Sequence, residues 1–250
     1  MGIARGLWAR LAGVRPGWVV LVALLVYALV ATGQWRSAVV DLREARLGLA
    51  ATEIATAEAQ SAPATDPGLW LPIPGVRVSA NDEHVPGAAR AYRSGVSEGF
   101  SFWPDPDGVP VHYGTPVIAV AGGEVIRADH GYFELSSGEW EVLLAAVADG
   151  ASDAELDQLR GRQVWLRLDD GRVVRYGHLA SVRPGLNVGQ RVRRGWVIGS
   201  VGNSGTPDGV AGRTTNARLH FEVREGDGYF GEGLAPDEIR LAATLLFTGP

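Results

Sequence analysis

From Leu69 to the C-terminus, short β-branched runs alternate with Gly, Pro and Asp. That texture restricts this part of the chain to short strands joined by tight turns. Its clearest unit is VWLRL–DDG–RVVRY, residues 164–176. Two runs of period 2 flank a turn tripeptide, which predicts a β-hairpin. TPVIAVAGGEVIRAD, QRVRRGWVIGSVGNSG and ARLHFEV repeat the pattern. One helical insertion, residues 137–161, interrupts it. Ser137 precedes a Glu-rich apolar run there, and Ser152 with Glu155 three residues on is a capping-box signature. Pro236 to Phe247 reads as a closing helix. The expected fold class is mainly β: a compact antiparallel sandwich or barrel-like domain over residues 71–250.

The N-terminal quarter has a different texture. WVVLVALLVYALVA, residues 18–31, carries no charge. With its flanks, residues 17–35 approach the ~20 residues that span a bilayer. Trp18 and Trp35 stand at its two ends, where interfacial aromatics are favoured. Arg5, Arg10 and Arg15 precede the segment and place residues 1–16 in the cytoplasm, although Arg36, Arg43 and Arg46 follow at similar distance. A cleaved signal peptide is the competing reading; the apolar run is long for one, and no small-x-small cleavage site follows it. Residues 36–61 are rich in Ala, Glu, Arg and Leu without Pro, and read as a helical stalk of roughly 39 Å at ~1.5 Å per residue. SAPATDPG then breaks the helix, making residues 62–70 a linker.

Composition narrows the chemistry. The formal net charge of -5 gives no electrostatic support to nucleic-acid binding. All 23 basic residues are Arg, so Schiff-base and P-loop lysine chemistry are excluded. Cysteine is absent, which removes thiolate nucleophiles and Cys-ligated zinc. A metal site would need His, Asp and Glu, and the histidines are His84, His112, His130, His178 and His220.

RLHFEV, Arg218 to Val223, alternates as a strand: Leu219, Phe221 and Val223 on one face, Arg218, His220 and Glu222 on the other. YGHL, Tyr176 to Leu179, precedes it. Between them lies a Gly-punctuated frame. The ordered set GTPVIAVAGGEVIRA (Gly114 to Ala128), RYGHL (Arg175 to Leu179), VRPGLNVGQRVRRGWVIGSVGNSG (Val182 to Gly205) and LHFEV (Leu219 to Val223) resembles the LytM/lysostaphin-type zinc endopeptidases of peptidase family M23, which cut peptide cross-links in bacterial cell walls. The resemblance covers about Leu71 to Phe230.

The resemblance implies a zinc site built from a His-x-x-x-Asp pair on an early strand and the second His of a His-x-His strand. Residues four apart on a strand share a face, so such a pair reaches one metal. The first His of His-x-His and a separate His would flank the metal-bound water. The early strand is expected at Tyr92 to Trp103, where relatives read Tyr-Arg-x-Gly-x-His-Glu-Gly-x-Asp-Phe. By that alignment Ser97 and Ser101 stand at the His and Asp ligand positions. His220 is the retained ligand position, Arg218 replaces one auxiliary His, and His178 is the retained auxiliary His. Serine hydroxyls are poor zinc ligands, and a permanent cation two residues from His220 repels a metal. The expected cofactor is therefore none, or zinc if the site functions with displaced ligands. Glu98 is expected on the face opposite Ser97, Glu222 sits two residues beyond His220, and Asp82, Glu83 and His84 read as a solvated loop. His112 and His130 read as surface residues. A Ser97 or Ser101 nucleophile with a His base lacks an orienting acid and a strained nucleophile turn.

The expected function is that of a single-pass bacterial membrane protein whose extracytoplasmic LytM-like domain is non-catalytic. It would bind peptidoglycan peptides or regulate a cell-wall hydrolase, with Arg218 available to a wall-peptide carboxylate. Two alternatives are an active zinc endopeptidase with displaced ligands, and a scaffold that contacts another membrane protein through residues 137–161.

Overall fold

The computed structural model describes residues 68–104 and 109–248. The expected cytoplasmic segment 1–16, transmembrane helix 17–35, stalk 36–61 and residues 62–67 of the linker lie outside the described residues. Among the described residues, no helix is long and apolar enough to cross a membrane.

The described strands are β1 (Ala89–Arg90), β2 (Gly95–Val96), β3 (Phe100–Phe102), β4 (Pro116–Ile118), β5 (Gly123–Ala128), β6 (Val164–Leu168), β7 (Val173–Gly177), β8 (Leu179–Val182), β9 (Arg191–Val192), β10 (Val197–Val201), β11 (Leu219–Glu225) and β12 (Gly228–Tyr229). The helices are α1 (Ser137–Ala146), α2 (Asp153–Arg160), α3 (Pro207–Val210) and α4 (Pro236–Leu246). The domain is mainly β and its pairings between named strands are antiparallel. One sheet runs β12-β11-β7-β6-β5-β9, with β3 also paired to β11; a second runs β4-β10-β8.

The predicted hairpin is β6–β7, with Trp165 opposite Arg175 and Leu166 opposite Val174. Its alternation sorts the side chains: Val164, Leu166, Leu168, Val174 and Tyr176 are buried, while Arg167 faces solvent. β11 obeys the same rule. Leu219, Phe221 and Val223 enter the core, where the Tyr176 and Phe221 ring centroids lie 5.1 Å apart. Val117, Leu179, Val182, Ile198 and Val201 of the second sheet belong to the same core. Burying each such side chain contributes about 1.5–3 kcal/mol. His220, Glu222 and Arg224 are left on the opposite face of β11, and the site is built on that face.

The insertion forms as two capped helices. Ser136, one residue before the expected Ser137, is the N-cap of α1; its hydroxyl accepts from Glu139 N–H and the Glu139 carboxylate accepts from Ser136 N–H. Ser152 and Glu155 make the same box at α2. The pair holds a small core of its own: Trp140, Leu143, Val147, Leu156 and Leu159.

The end of α2 is fastened to the sheet. His178 N–H donates to Arg160 O at 2.7 Å and Leu179 N–H to Arg162 O at 3.1 Å. Gly161 permits this approach. Its φ is +67°, and a Cβ there would lie 2.3 Å from Ser204 O. Gly161→Ala combines a backbone conformation reserved for glycine with a backbone clash, so it should cost roughly 3 kcal/mol or more in thermal unfolding. Unchanged unfolding would mean that α2 does not dock this closely.

The early strand departs from expectation. Tyr92 to Trp103 is not one strand but a 3-10 turn at Ala91–Arg93, then β2, an irregular stretch, and β3. Ser94 adopts a left-handed φ of 47°, which breaks the alternation. Gly99 then packs against β11 so closely that a Cβ would lie 2.4 Å from Phe221 O. Glu98 is therefore not turned away from Ser97 as expected; both residues line the same cleft.

Candidate functional site

The face of β11 that carries His220 and Glu222 opens on a cleft of about 320 Å³, closed on another side by the α1–α2 insertion. Ser97, Ser101, His178, Arg218 and His220, all singled out in the sequence, line it together. Register accounts for part of this convergence. On β11, His220 sits between Ser101 of β3 and Gly177 of β7. His178 follows directly, with a left-handed φ of 58° that ends β7. The two imidazole centroids are 5.9 Å apart.

The hydrogen bonds fix the tautomer of His178. Its Nδ1 lies 2.8 Å from Ser204 O, and a carbonyl can only accept. Its Nε2 lies 3.1 Å from Arg218 Nη2, and a guanidinium can only donate. His178 is thus neutral, with Nδ1 protonated and its one lone pair occupied by Arg218. Burial, then the Arg218 charge, push its pKa well below the ordinary histidine range. The auxiliary-base role that the resemblance implies for His178 has no free lone pair to work with. Because the folded state disfavours protonation, stability should be full above the ordinary histidine pKa near 6.5 and should fall as pH drops below it. In histidine-resolved NMR the His178 imidazole should titrate well below the ordinary histidine range. Titration within the ordinary range would refute the Arg218 contact.

Arg218 stacks its guanidinium 4.7 Å from the Trp103 ring centroid, a cation–π contact. His84 stacks near the same indole, with ring centroids 5.7 Å apart. Among the described residues, Arg218 has no carboxylate partner. Burial lowers its pKa to about 10.

His220 is held differently. Its Nε2–H donates to Glu222 Oε1 at 3.1 Å. Glu222, fully buried, also accepts from Arg160 Nε at 2.5 Å and Arg175 Nη1 at 3.3 Å. Arg160 reaches on to Glu98 at 2.6 Å, and Arg224 binds Glu98 at 2.7 Å. Burial alone would raise the Glu222 pKa; the His220 hydrogen bond and the Arg160 charge overcome it and hold the carboxyl far below the usual range. This Arg–Glu cage was not anticipated. Its signal was present in RLHFEV and its continuation: Glu222 and Arg224 share the His220 face, and a buried strand face carrying a carboxylate requires cations.

The donor set does not fit a zinc ion. Ser97 Oγ donates to Gly99 O at 3.1 Å, Glu222 is committed to arginines, and a guanidinium occupies the His178 lone pair. Among the described residues, no group of three or more His, Asp or Glu is placed to hold a metal. Asp82, Glu83 and His84 form a 3-10 turn in which Asp82 pairs with Arg240 and His84 Nδ1 lies 3.0 Å from Ser79 Oγ. His112 and His130 are exposed, and His130 bonds Leu186 O at 2.6 Å.

Residues 108–231 match the model of peptidase family M23. The chain carries an M23 peptidase domain. The match takes in His178, Arg218 and His220 and begins after Ser97 and Ser101. The domain is similar to three solved structures, each at low identity. The catalytic domain of lysostaphin from Staphylococcus simulans is 20% identical, over 58% of this chain and 82% of that one, with a TM-score of 0.36. The prophage-encoded M23 protein EnpA from Enterococcus faecalis is 21% identical, over 68% and 95%, with a TM-score of 0.38. Helicobacter pylori Csd3 is 19% identical over 63% of this chain, with a TM-score of 0.35, and the match spans 30% of the Csd3 chain. No curated relative matches the sequence.

Proposed function

We propose that this M23 domain is non-catalytic and engages peptidoglycan peptides, held outside a bacterial cell membrane by the apolar segment 17–35 and the stalk 36–61. The observation that carries the reading is the Arg218–His178 hydrogen bond. It sets a cation where the family's chemistry would need a metal and a free base. Ser97 and Ser101, at positions where the resemblance implies His and Asp, point the same way. The anchor and the extracytoplasmic placement rest on the sequence of residues 1–61. The wall itself or a hydrolase that works on it are the partners in keeping with that location.

The test is incubation of the full chain with purified cell-wall sacculi, with and without added zinc. The expected result is co-sedimentation without release of peptide under either condition. Zinc-dependent release of cross-link fragments would establish instead an active endopeptidase with displaced ligands. Failure to sediment would remove the wall as the partner.

A further inference from the structure

The cleft has the opposite polarity from a metal site. Arg90, Arg93, Arg160 and Arg218 line it against only Glu98 and Glu222, in a chain whose overall charge is -5. Both glutamates are already consumed: Glu222 by Arg160, Arg175 and His220, Glu98 by Arg160 and Arg224. The other three arginines have no carboxylate partner among the described residues. Arg90 donates to Glu83 O at 2.9 Å and to Ala89 O at 3.2 Å, and Arg93 donates to Val96 O. Arg218 donates to a neutral imidazole.

A half-buried guanidinium without an anion, as at Arg218, carries a desolvation cost that an incoming carboxylate would relieve. Part of the lining is apolar, formed by Trp140, Leu156 and Leu159 of the insertion. At about 320 Å³ the space falls at the lower end of small-molecule sites, which run from about 300 to 1,000 Å³, and exceeds what one inorganic anion fills.

From this arrangement we infer that the cleft is a binding site for a free peptide carboxylate, with Arg218 as the anchoring cation, Arg90 and Arg93 as flanking cations, and a small apolar side chain of the peptide against Trp140 and Leu156. The inference deepens the non-catalytic reading and rests on it.

The test is calorimetric titration of the full chain with acetyl-alanyl-alanine as the free acid, its C-terminal amide, and inorganic phosphate. The acid should bind at least about tenfold more tightly than either, since only it offers a charge-assisted bond and an apolar group together. Arg218→Gln should bring the acid down to the affinity of the amide. Arg93→Gln should weaken it about threefold or more. Equal binding of acid and amide by the unaltered chain overturns the inference, and that comparison needs no variant. Phosphate binding as tight as the acid's overturns it as well, leaving a simple anion site. Sacculus sedimentation separates the two levels: binding to the wall that survives in Arg218→Gln keeps the proposed function and removes the carboxylate site.

Discussion

Glu222→Gln should lower the thermal midpoint of the domain by roughly 10 °C. The carboxylate is fully buried and holds Arg160 at 2.5 Å, Arg175 at 3.3 Å and His220 at 3.1 Å. Removing the anionic partner of a buried pair leaves uncompensated cations and costs about 3–5 kcal/mol. In a domain of this size each kcal/mol moves the midpoint by about 2–4 °C. Glu98 limits the loss, because Arg160 keeps its second partner there. The pH dependence carries a second signature. The folded-state pKa of Glu222 is depressed, so its contribution is complete above the ordinary glutamate value near 4.5 and disappears as pH falls below it. Acid destabilisation below about pH 4.5 should therefore be shallower in Glu222→Gln than in the unaltered chain. Parallel pH–stability curves would show that the cage is electrostatically idle.

The strands were legible because one-sided burial writes period 2 into the sequence. VWLRL and RVVRY gave β6 and β7, and RLHFEV gave the two faces of β11. The Ser152–Glu155 capping box marked the start of α2, whereas the start of α1 was placed at Ser137 without its box, and the insertion was read as one helical segment rather than two helices. The early strand was not legible, since its failure depends on non-local facts. Ser94 turns left-handed and Gly99 presses against Phe221, which lies far along the chain on β11, and no local pattern records either. The site followed the same division. Family spacing brought Ser97, Ser101, His178, Arg218 and His220 to one cleft, and all five line it. The state of those residues was hidden. Whether His178 has a free lone pair depends on how Arg218 folds back across Trp103 toward Nε2. Whether Glu222 is a spare ligand depends on Arg160, which arrives from an insertion 62 residues away. Long flexible arginine side chains leave no periodic trace, so the sequence carries no mark of the charge pairing across the site.

The combined variant Ser97→His, Ser101→Asp and Arg218→His should bind about one equivalent of zinc where the unaltered chain holds none. Ser101 lies directly opposite His220 across the β3–β11 pair, a register in which Cβ atoms are about 4.5–5.5 Å apart. Ser97 is buried in the same cleft. An Asp at 101 and a His at 97 would complete, with His220, the three protein ligands of an open zinc site. The third change is electrostatic. Arg218 sits two residues from His220 on the same strand face, about 7 Å along the backbone, where a unit charge opposes a divalent ion by on the order of 5 kcal/mol at an effective dielectric near 20. Ser97→His with Ser101→Asp alone should therefore bind zinc at least a hundredfold more weakly than the triple variant. Replacing Arg218 also removes the second cause of the His178 shift, so in the zinc-free triple variant the His178 pKa should rise, with burial still holding it below the ordinary histidine range. Elemental analysis after zinc exposure and desalting reads the first effect, and histidine NMR reads the second. One tight equivalent of zinc in the unaltered chain would show that Arg218 and the two serines do not exclude a metal, and the non-catalytic reading would fall with that result. Zinc in neither protein would place Ser97 and Ser101 outside the ligand geometry and leave the arginine-lined cleft as the chemistry to be explained.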